Sequence, residues 1–188
     1  MHAFAIAALL LAPVPADPFC DALKQIVADE PGNFSTLAGA PQGTAGDSWH
    51  ASVVPALDPR QDASCFIGPD DYTGGKPSRW HYVCYAAYPI DNAPTDADVG
   101  ALADRAARCF DVAPRVIQDP ERGPLGYPSE RRIVLAPLEI VINSYRMEFV
   151  TINDGPWRAP APYVGGSSDH DYWMVMDVRR ISRDAHGA

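Results

Sequence analysis

Residues 65–84 read CFIGPDDYTGGKPSRWHYVC, a stretch with a cysteine at each end and the pair Gly74-Gly75 at its centre. A two-residue hairpin loop requires positive φ at both central positions, which glycine adopts without steric cost. If Gly74 and Gly75 form such a loop, Cys65 lies directly opposite Cys84 on the neighbouring strand. The stretch therefore predicts an antiparallel hairpin closed by a disulfide.

The same register places two further complementary pairs across the hairpin. Asp70 faces Arg79 and Phe66 faces Val83, an ion pair and an apolar pair of the kind that stabilise antiparallel strands. Two prolines near the loop remove backbone donors, so we expect an irregular hairpin tip. The tip is thus predicted to be a loop on a rigid hairpin, not a continuation of the sheet.

Two segments combine a helix start signal with an apolar stripe of helical period. Asp17 followed by Pro18 is a typical N-cap and first helical residue, and Thr95-x-x-Asp98 resembles a capping box. The stripes comprise Phe19, Cys20, Leu23, Ile26 and Val27 in the first segment and Val99, Leu102, Ala106, Cys109 and Phe110 in the second. Proline follows each stripe within a few residues and predicts where the two helices end.

The four cysteines are an even set, which in an exported chain predicts two disulfides. Four cysteines allow three pairings, and sequence alone rarely decides among them. If Cys65 pairs with Cys84, Cys20 remains for Cys109. Cys20 lies at the start of the first predicted helix and Cys109 at the end of the second, so this bond requires adjacent, antiparallel helices.

The rest of the chain contains extended segments rich in β-branched and aromatic residues. They are residues 49–54, 64–68, 78–88, 132–135, 138–152 and 171–181, whereas residues 33–47 read as a loop with at most one short strand. We expect an α+β fold with two disulfides, an antiparallel sheet of about five to six strands and two helices packed on one face, in the order α-βββ-α-βββ. This layout resembles secreted bacterial inhibitor domains built from tandem helix-plus-sheet units.

Residues 1–16, MHAFAIAALLLAPVPA, have the pattern of a secretory signal peptide. An apolar run precedes Val14-Pro15-Ala16, which fits the small-x-small rule and predicts cleavage after Ala16. The apolar run is too short to span a bilayer, and no later stretch is long enough either. We therefore expect residues 17–188 to form a single domain without a membrane span, located in the periplasm or secreted.

The net charge of the chain narrows the class of partner that we expect it to bind. The chain has 15 Lys and Arg against 24 Asp and Glu, a formal net charge of -9. Nucleic acids reward clustered Lys and Arg, so we expect no nucleic-acid partner. An acidic surface favours encounter with a basic protein partner, although acidity also serves solubility alone.

Common catalytic motifs are missing from the sequence. It contains no G-x-S-x-G, H-E-x-x-H, Walker or G-x-G-x-x-G pattern, and paired cysteines leave no thiol nucleophile. His50, His81 and His170 lack the close spacing of zinc ligands. The sequence therefore predicts no catalytic residue, cofactor or metal site.

An exported hydrolase without a recognisable motif is an alternative. Asp169, His170 and Asp171 are then the first residues to mutate. Glu139 and Glu148 could form a glycosidase pair, because two carboxylates of unequal environment can share acid and base work. Strand alternation, however, explains Glu139 as an ordinary outward-facing carboxylate.

The hairpin tip is the candidate binding surface. Asp70 and Asp71 would attract a basic partner, and Tyr72 and Arg79 would supply contact area. Loops held by a rigid scaffold often carry recognition. The sequence thus favours a non-enzymatic exported binding protein of inhibitor or immunity type, with an exported hydrolase or an envelope structural or assembly factor as alternatives.

Overall fold

The computed structural model describes residues 17–42, 48–69, 80–117, 130–146 and 172–181. These residues form one antiparallel sheet with two α-helices and two disulfides, which confirms the α+β class. The predicted signal peptide and the hairpin tip lie outside the described residues.

The helices are α1 (Pro18–Asp29) and α2 (Asp96–Arg108). Both begin at the predicted caps: the Asp17 side chain accepts a hydrogen bond from the backbone N of Phe19 at 3.0 Å, and Thr95 forms a reciprocal capping box with Asp98. Each cap satisfies backbone donors that would otherwise be unpaired in the first helical turn. Short 3₁₀ turns, Glu30–Gly32, Ser35–Leu37 and Ile90–Asn92, join the helices to the sheet.

The described residues form eight strands of the sheet. In chain order they are β1 (Ala38–Gln42), β2 (Ser48–Ala51), β3 (Ala63–Pro69), β4 (Trp80–Tyr88), β5 (Arg115–Ile117), β6 (Glu130–Leu135), β7 (Leu138–Arg146) and β8 (Tyr172–Arg180). Their spatial order is β1-β2-β3-β4-β8-β7-β6-β5, with every neighbouring pair antiparallel. Two four-strand meanders, each preceded by a helix, therefore meet where β4 pairs with β8.

The expected five to six strands and the order α-βββ-α-βββ were wrong, since the order is α-ββββ-α-ββββ. Strand β1 lies within residues 33–47, where one short strand was allowed, and β5 was not predicted; the two strands lie at the two edges of the sheet. Strand β1 is AGAPQ and β5 has only three residues, so neither shows the alternation of a half-buried strand. A Cβ at Gly39 would lie 2.9 Å from the backbone oxygen of His50, which explains glycine on this edge.

The hairpin register is the one predicted from the glycine pair. Cys65 lies opposite Cys84, and Phe66 opposite Val83, and the pairing continues without a shift to Pro69 opposite Trp80. The structure contains the Cys65–Cys84 disulfide, and a second disulfide joins Cys20 to Cys109.

One face of the sheet packs against both helices, and we call it the helix face. Its buried strand residues are Cys65, Ile67, Tyr82, Cys84, Ala86, Tyr88, Ile133, Ile140, Ile142, Met174, Met176 and Val178, which form one cluster with the apolar stripes of α1 and α2. The Cys20–Cys109 bond and an Arg105–Asp17 ion pair of 2.7 Å hold the start of α1 beside the end of α2. No helix in the described part of the chain is long and apolar enough to cross a membrane.

Candidate functional site at the hairpin end of the sheet

The hairpin end is the end of the sheet at which β3 stops at Pro69 and β4 starts at Trp80. The disulfide between Cys65 and Cys84 cross-links the two strands a few residues in from this end. Both cysteines are buried, so the cross-link belongs to the core and braces the base of the hairpin.

Apart from Glu139, the candidate site residues that the sequence nominated are not in the described part of the chain. They are Asp70, Asp71, Tyr72 and Arg79 at the hairpin tip, Glu148, and the Asp169, His170 and Asp171 group. Their proposed roles remain predictions. The site below is built from described residues that flank the tip.

Two tryptophans meet on the helix face of the hairpin end. Trp49 lies opposite Ile67, and Trp80 lies opposite Pro69 on the other side of β3. Their ring centroids are 5.2 Å apart at an interplanar angle of 42°. Ile67 is only 1% exposed, whereas both indoles are half-buried. The pair is therefore an apolar surface that stays partly accessible to a partner.

The opposite side of the sheet, which we call the second face, carries a row of alternating charges. We call it the charge chain, and it consists of His81, Asp177, Arg179, Glu139, Arg132 and Glu130. These residues come from four adjacent strands, β4, β8, β7 and β6. Sequence reasoning missed the chain because residues so far apart meet only through the observed strand order.

Glu139 is the centre of the charge chain. One of its carboxylate oxygens accepts a hydrogen bond from Arg179 Nε at 3.0 Å, and the other accepts one from Arg132 at 3.4 Å. Arg132 also pairs with Glu130. Alternation predicted the face of Glu139 correctly, but the expectation of an ordinary outward carboxylate was wrong, since the residue is 5% exposed. Its two arginine partners offset the cost of burying the charge.

Asp177 is the least satisfied member of the chain. Its Oδ2 lies 3.2 Å from both Arg179 Nη1 and His81 Nδ1. Its Oδ1 is buried, and no donor reaches it among the described residues. The side-chain oxygen of Asn143, on the neighbouring strand β7, is likewise buried without a donor in the described structure.

Aromatic rings adjoin the charge chain on the second face. Tyr85 makes an edge contact with Trp173 at 5.1 Å between centroids, and Phe66 lies 6.2 Å from Tyr85 on its other side. Tyr82 and Tyr88, of the opposite strand parity, are buried in the core on the helix face. The two buried tyrosines therefore lie on the helix face, whereas the rings of Tyr85, Trp173 and Phe66 lie on the second face beside the charge chain.

A different carboxylate cluster, on the helix side, is structural. Asp58 is buried and accepts hydrogen bonds from the Tyr88 hydroxyl at 2.9 Å and from Arg60 Nη2 at 2.7 Å. The hydrogen bonds from Arg60 outweigh the cost of burial and lower the pKa of Asp58 to about 2. Arg60 also reaches Asp98 in the first turn of α2 at 3.2 Å. The cluster ties the loop before β3 to β4 and α2.

Within the described residues, no group of three or more His, Cys, Asp or Glu side chains is placed to hold a metal ion. His50 is exposed on β2, and His81 belongs to the charge chain. Comparison of the chain with protein-family models, with curated proteins and with solved structures finds no match. Any functional conclusion therefore depends on the geometry of the site itself.

Proposed function

We propose that this chain is an exported, non-enzymatic binding protein of inhibitor or immunity type that captures a basic protein partner at the hairpin end. The observation that carries the proposal is the Trp49–Trp80 pair, which lies half-buried beside a disulfide-braced hairpin. Tryptophan is among the residues most enriched at the energetic centres of protein interfaces. A rigid scaffold lowers the entropy lost on binding.

Three further features support the same proposal. The N-terminal pattern fits a signal peptide, and two disulfides suit a protein located in the periplasm or secreted. The net charge of -9 favours encounter with a cationic partner. The predicted contact residues Asp70, Asp71, Tyr72 and Arg79 stand in the sequence between the last residue of β3, Pro69, and the first residue of β4, Trp80.

Capture of a partner from a periplasmic extract by the immobilised protein tests the proposal. We expect Trp49→Ala to weaken capture at least about tenfold, because truncating a central interface tryptophan costs on the order of 2 kcal/mol or more. Trp80 packs against the core, so Trp49→Ala is the variant that disturbs folding less. Val116→Ala is the matched control, because Val116 is 54% exposed on the edge strand β5.

The capture results for the two variants distinguish the proposed binding surface from a surface elsewhere on the protein. Capture that Trp49→Ala weakens and Val116→Ala leaves unchanged supports the hairpin end as the binding surface. Equal capture by both variants, with wild-type melting temperatures, would mean that the surface is elsewhere. A protein that captures no stoichiometric partner is not a binding protein of this type.

A hydrolase is the second candidate, and the His81–Asp177 pair favours it. A carboxylate 3.2 Å from an imidazole Nδ1 is the arrangement that orients histidine for proton transfer. Assays with ester, peptide and polysaccharide substrates test this reading. Turnover that disappears in His81→Gln, in a protein whose wild type captures no stoichiometric partner, would replace the binding proposal by an enzymatic one.

A further inference from the structure

The two disulfides differ in how far they are open to solvent. Cys65, Cys84 and Cys109 are buried, with 4%, 0% and 7% of their surface exposed, whereas Cys20 is only half-buried. A disulfide is reduced when a thiolate attacks one of its sulfur atoms, so the rate depends on access to that atom. Cys20 is therefore the cysteine at which a dissolved thiol most readily reaches a disulfide of the folded chain.

The Cys65–Cys84 bond is shielded by the sheet and the helices. Both cysteines belong to the core cluster between the helix face and the two helices. Cys84 lies between two neighbouring strands, opposite Cys65 on β3 and opposite Met176 on β8. A thiol can reach this bond only after these elements separate, which requires sub-global unfolding.

The surroundings of the Cys20–Cys109 bond can accommodate its reduced form. The Asp17 carboxylate oxygen Oδ2 lies 3.8 Å from Cys20 Sγ, and the Arg105 carbonyl oxygen lies 3.3 Å from Cys109 Sγ. A thiol S–H is a weak donor, and buried polar groups in proteins are usually paired. Each sulfur atom thus has an acceptor in place for the proton that it gains on reduction.

Contacts other than the disulfide hold the same two helix ends together. Arg105 on α2 donates to the Asp17 carboxylate at 2.7 Å, and its guanidinium carbon lies 4.2 Å from the centroid of the Phe19 ring. Phe19 itself is 2% exposed. These contacts keep Cys20 close to Cys109 after the bond opens, so the bond can form again.

We propose that the Cys20–Cys109 bond is a thiol–disulfide exchange site for a dithiol protein of the compartment to which the chain is exported. A thiolate of the dithiol attacks Cys20 Sγ, the bond to Cys109 breaks, and Cys109 leaves as a thiolate that takes up a proton. The second thiolate of the dithiol then attacks the dithiol sulfur of the mixed disulfide, and Cys20 leaves and is protonated. The chain gains two electrons and two protons, and the dithiol is oxidised to a disulfide.

The exchange loosens one part of the fold only. Reduction frees the start of α1 from the end of α2, while the Cys65–Cys84 bond still braces the hairpin beside the tryptophan pair. Access sets the rate at which a bond is reduced, whereas the length of the closed loop sets its contribution to stability. The inference rests on the proposed export for the source of the dithiol, and the exchange itself can be tested with a small dithiol.

The probe is dithiothreitol, added to the oxidised mature protein under native conditions, with samples alkylated at intervals by N-ethylmaleimide and mapped by peptide mass. We expect Cys20 and Cys109 to be alkylated at least about tenfold faster than the other two cysteines, because the second bond opens only through sub-global unfolding. The once-reduced protein should keep the wild-type indole NMR signals of the tryptophan pair. The same reduction in urea is the matched control, since unfolding exposes both bonds and should remove the difference in rate.

Reduced glutathione, a monothiol, identifies the sulfur atom that is attacked. We expect its mixed disulfide on Cys20 and a free thiol on Cys109. A matched pair of variants measures access directly, because each leaves one thiol of this bond free. The Cys20 thiol of Cys109→Ser should react with N-ethylmaleimide faster than the Cys109 thiol of Cys20→Ser.

The inference is overturned if Cys65 and Cys84 are alkylated first, if all four cysteines are alkylated together, or if glutathione attaches to Cys109. It is also overturned if the same order of reduction persists in urea, because access would then not be its cause. If the serine variants do not fold, the time course of the wild type decides alone. Partner capture enters none of these measurements, so the exchange site and the binding surface at the hairpin end can fail independently.

Discussion

Asp58 illustrates how much one buried carboxylate can do in this chain. It accepts hydrogen bonds from Tyr88 and Arg60, and through Arg60 it connects to the cap of α2. Its role was not predictable from sequence, because Asp58 and Tyr88 are 30 residues apart and meet only in the folded sheet. The caps at Asp17 and Thr95 were predictable, because a cap acts within three residues.

The lowered pKa of Asp58 makes the folded state sensitive to acid. Because the folded value of about 2 lies below the value of about 3.9 typical of an unfolded chain, the unfolded state binds a proton first as the pH falls. The stabilisation is therefore complete above about pH 5 and is lost as the pH approaches 2. Asp58→Asn should lack this part of the acid destabilisation, as measured by urea unfolding at pH 3 and pH 7.

Asp62→Asn is the matched control for Asp58→Asn. Asp62 is an exposed carboxylate in the same loop, so its removal should leave the pH dependence of the wild type unchanged. At pH 7 we also expect Asp58→Ala to lower the free energy of unfolding by about 1–3 kcal/mol, because the buried Tyr88 hydroxyl loses its acceptor. An identical pH dependence in Asp58→Asn and wild type would contradict this role.

At the scale of elements, the hairpin was predictable and the edge strands were not. Turn chemistry and cross-strand pairs define the β3–β4 register within 20 residues of sequence, whereas β1 and β5 form only because a neighbouring strand is there to pair with. The same limit applies to the candidate site. Trp49 and Trp80 meet across β3, and the charge chain requires β4, β8, β7 and β6 to be neighbours in that order.

The two disulfides should contribute unequally to stability. The Cys20–Cys109 bond spans 89 residues and the Cys65–Cys84 bond spans 19. In the chain-entropy account, the longer loop stabilises by about 4–5 kcal/mol and the shorter by about 3. Replacing Cys20 and Cys109 by serine should therefore lower the midpoint of urea unfolding more than replacing Cys65 and Cys84, and the opposite order would contradict this account.

At the scale of the whole molecule, one sheet presents two different surfaces. The helix face buries the core and carries the half-buried tryptophan pair at the hairpin end, while the second face carries the charge chain. Composition indicated an acidic protein but not where its charges would meet. With a net charge of -9, capture of a basic partner should weaken as salt is raised.

Hydroxyl-radical footprinting of the protein bound to the partner it captures tests the central claim most directly. Side-chain oxidation reports exposure to solvent, and the indoles of Trp49 and Trp80 are accessible in the free protein, as is Val116 on β5. We predict that the partner protects both tryptophans and leaves Val116 as reactive as before. Protection at Val116 with unchanged oxidation of Trp49 and Trp80 would contradict the assignment of the hairpin end as the binding surface.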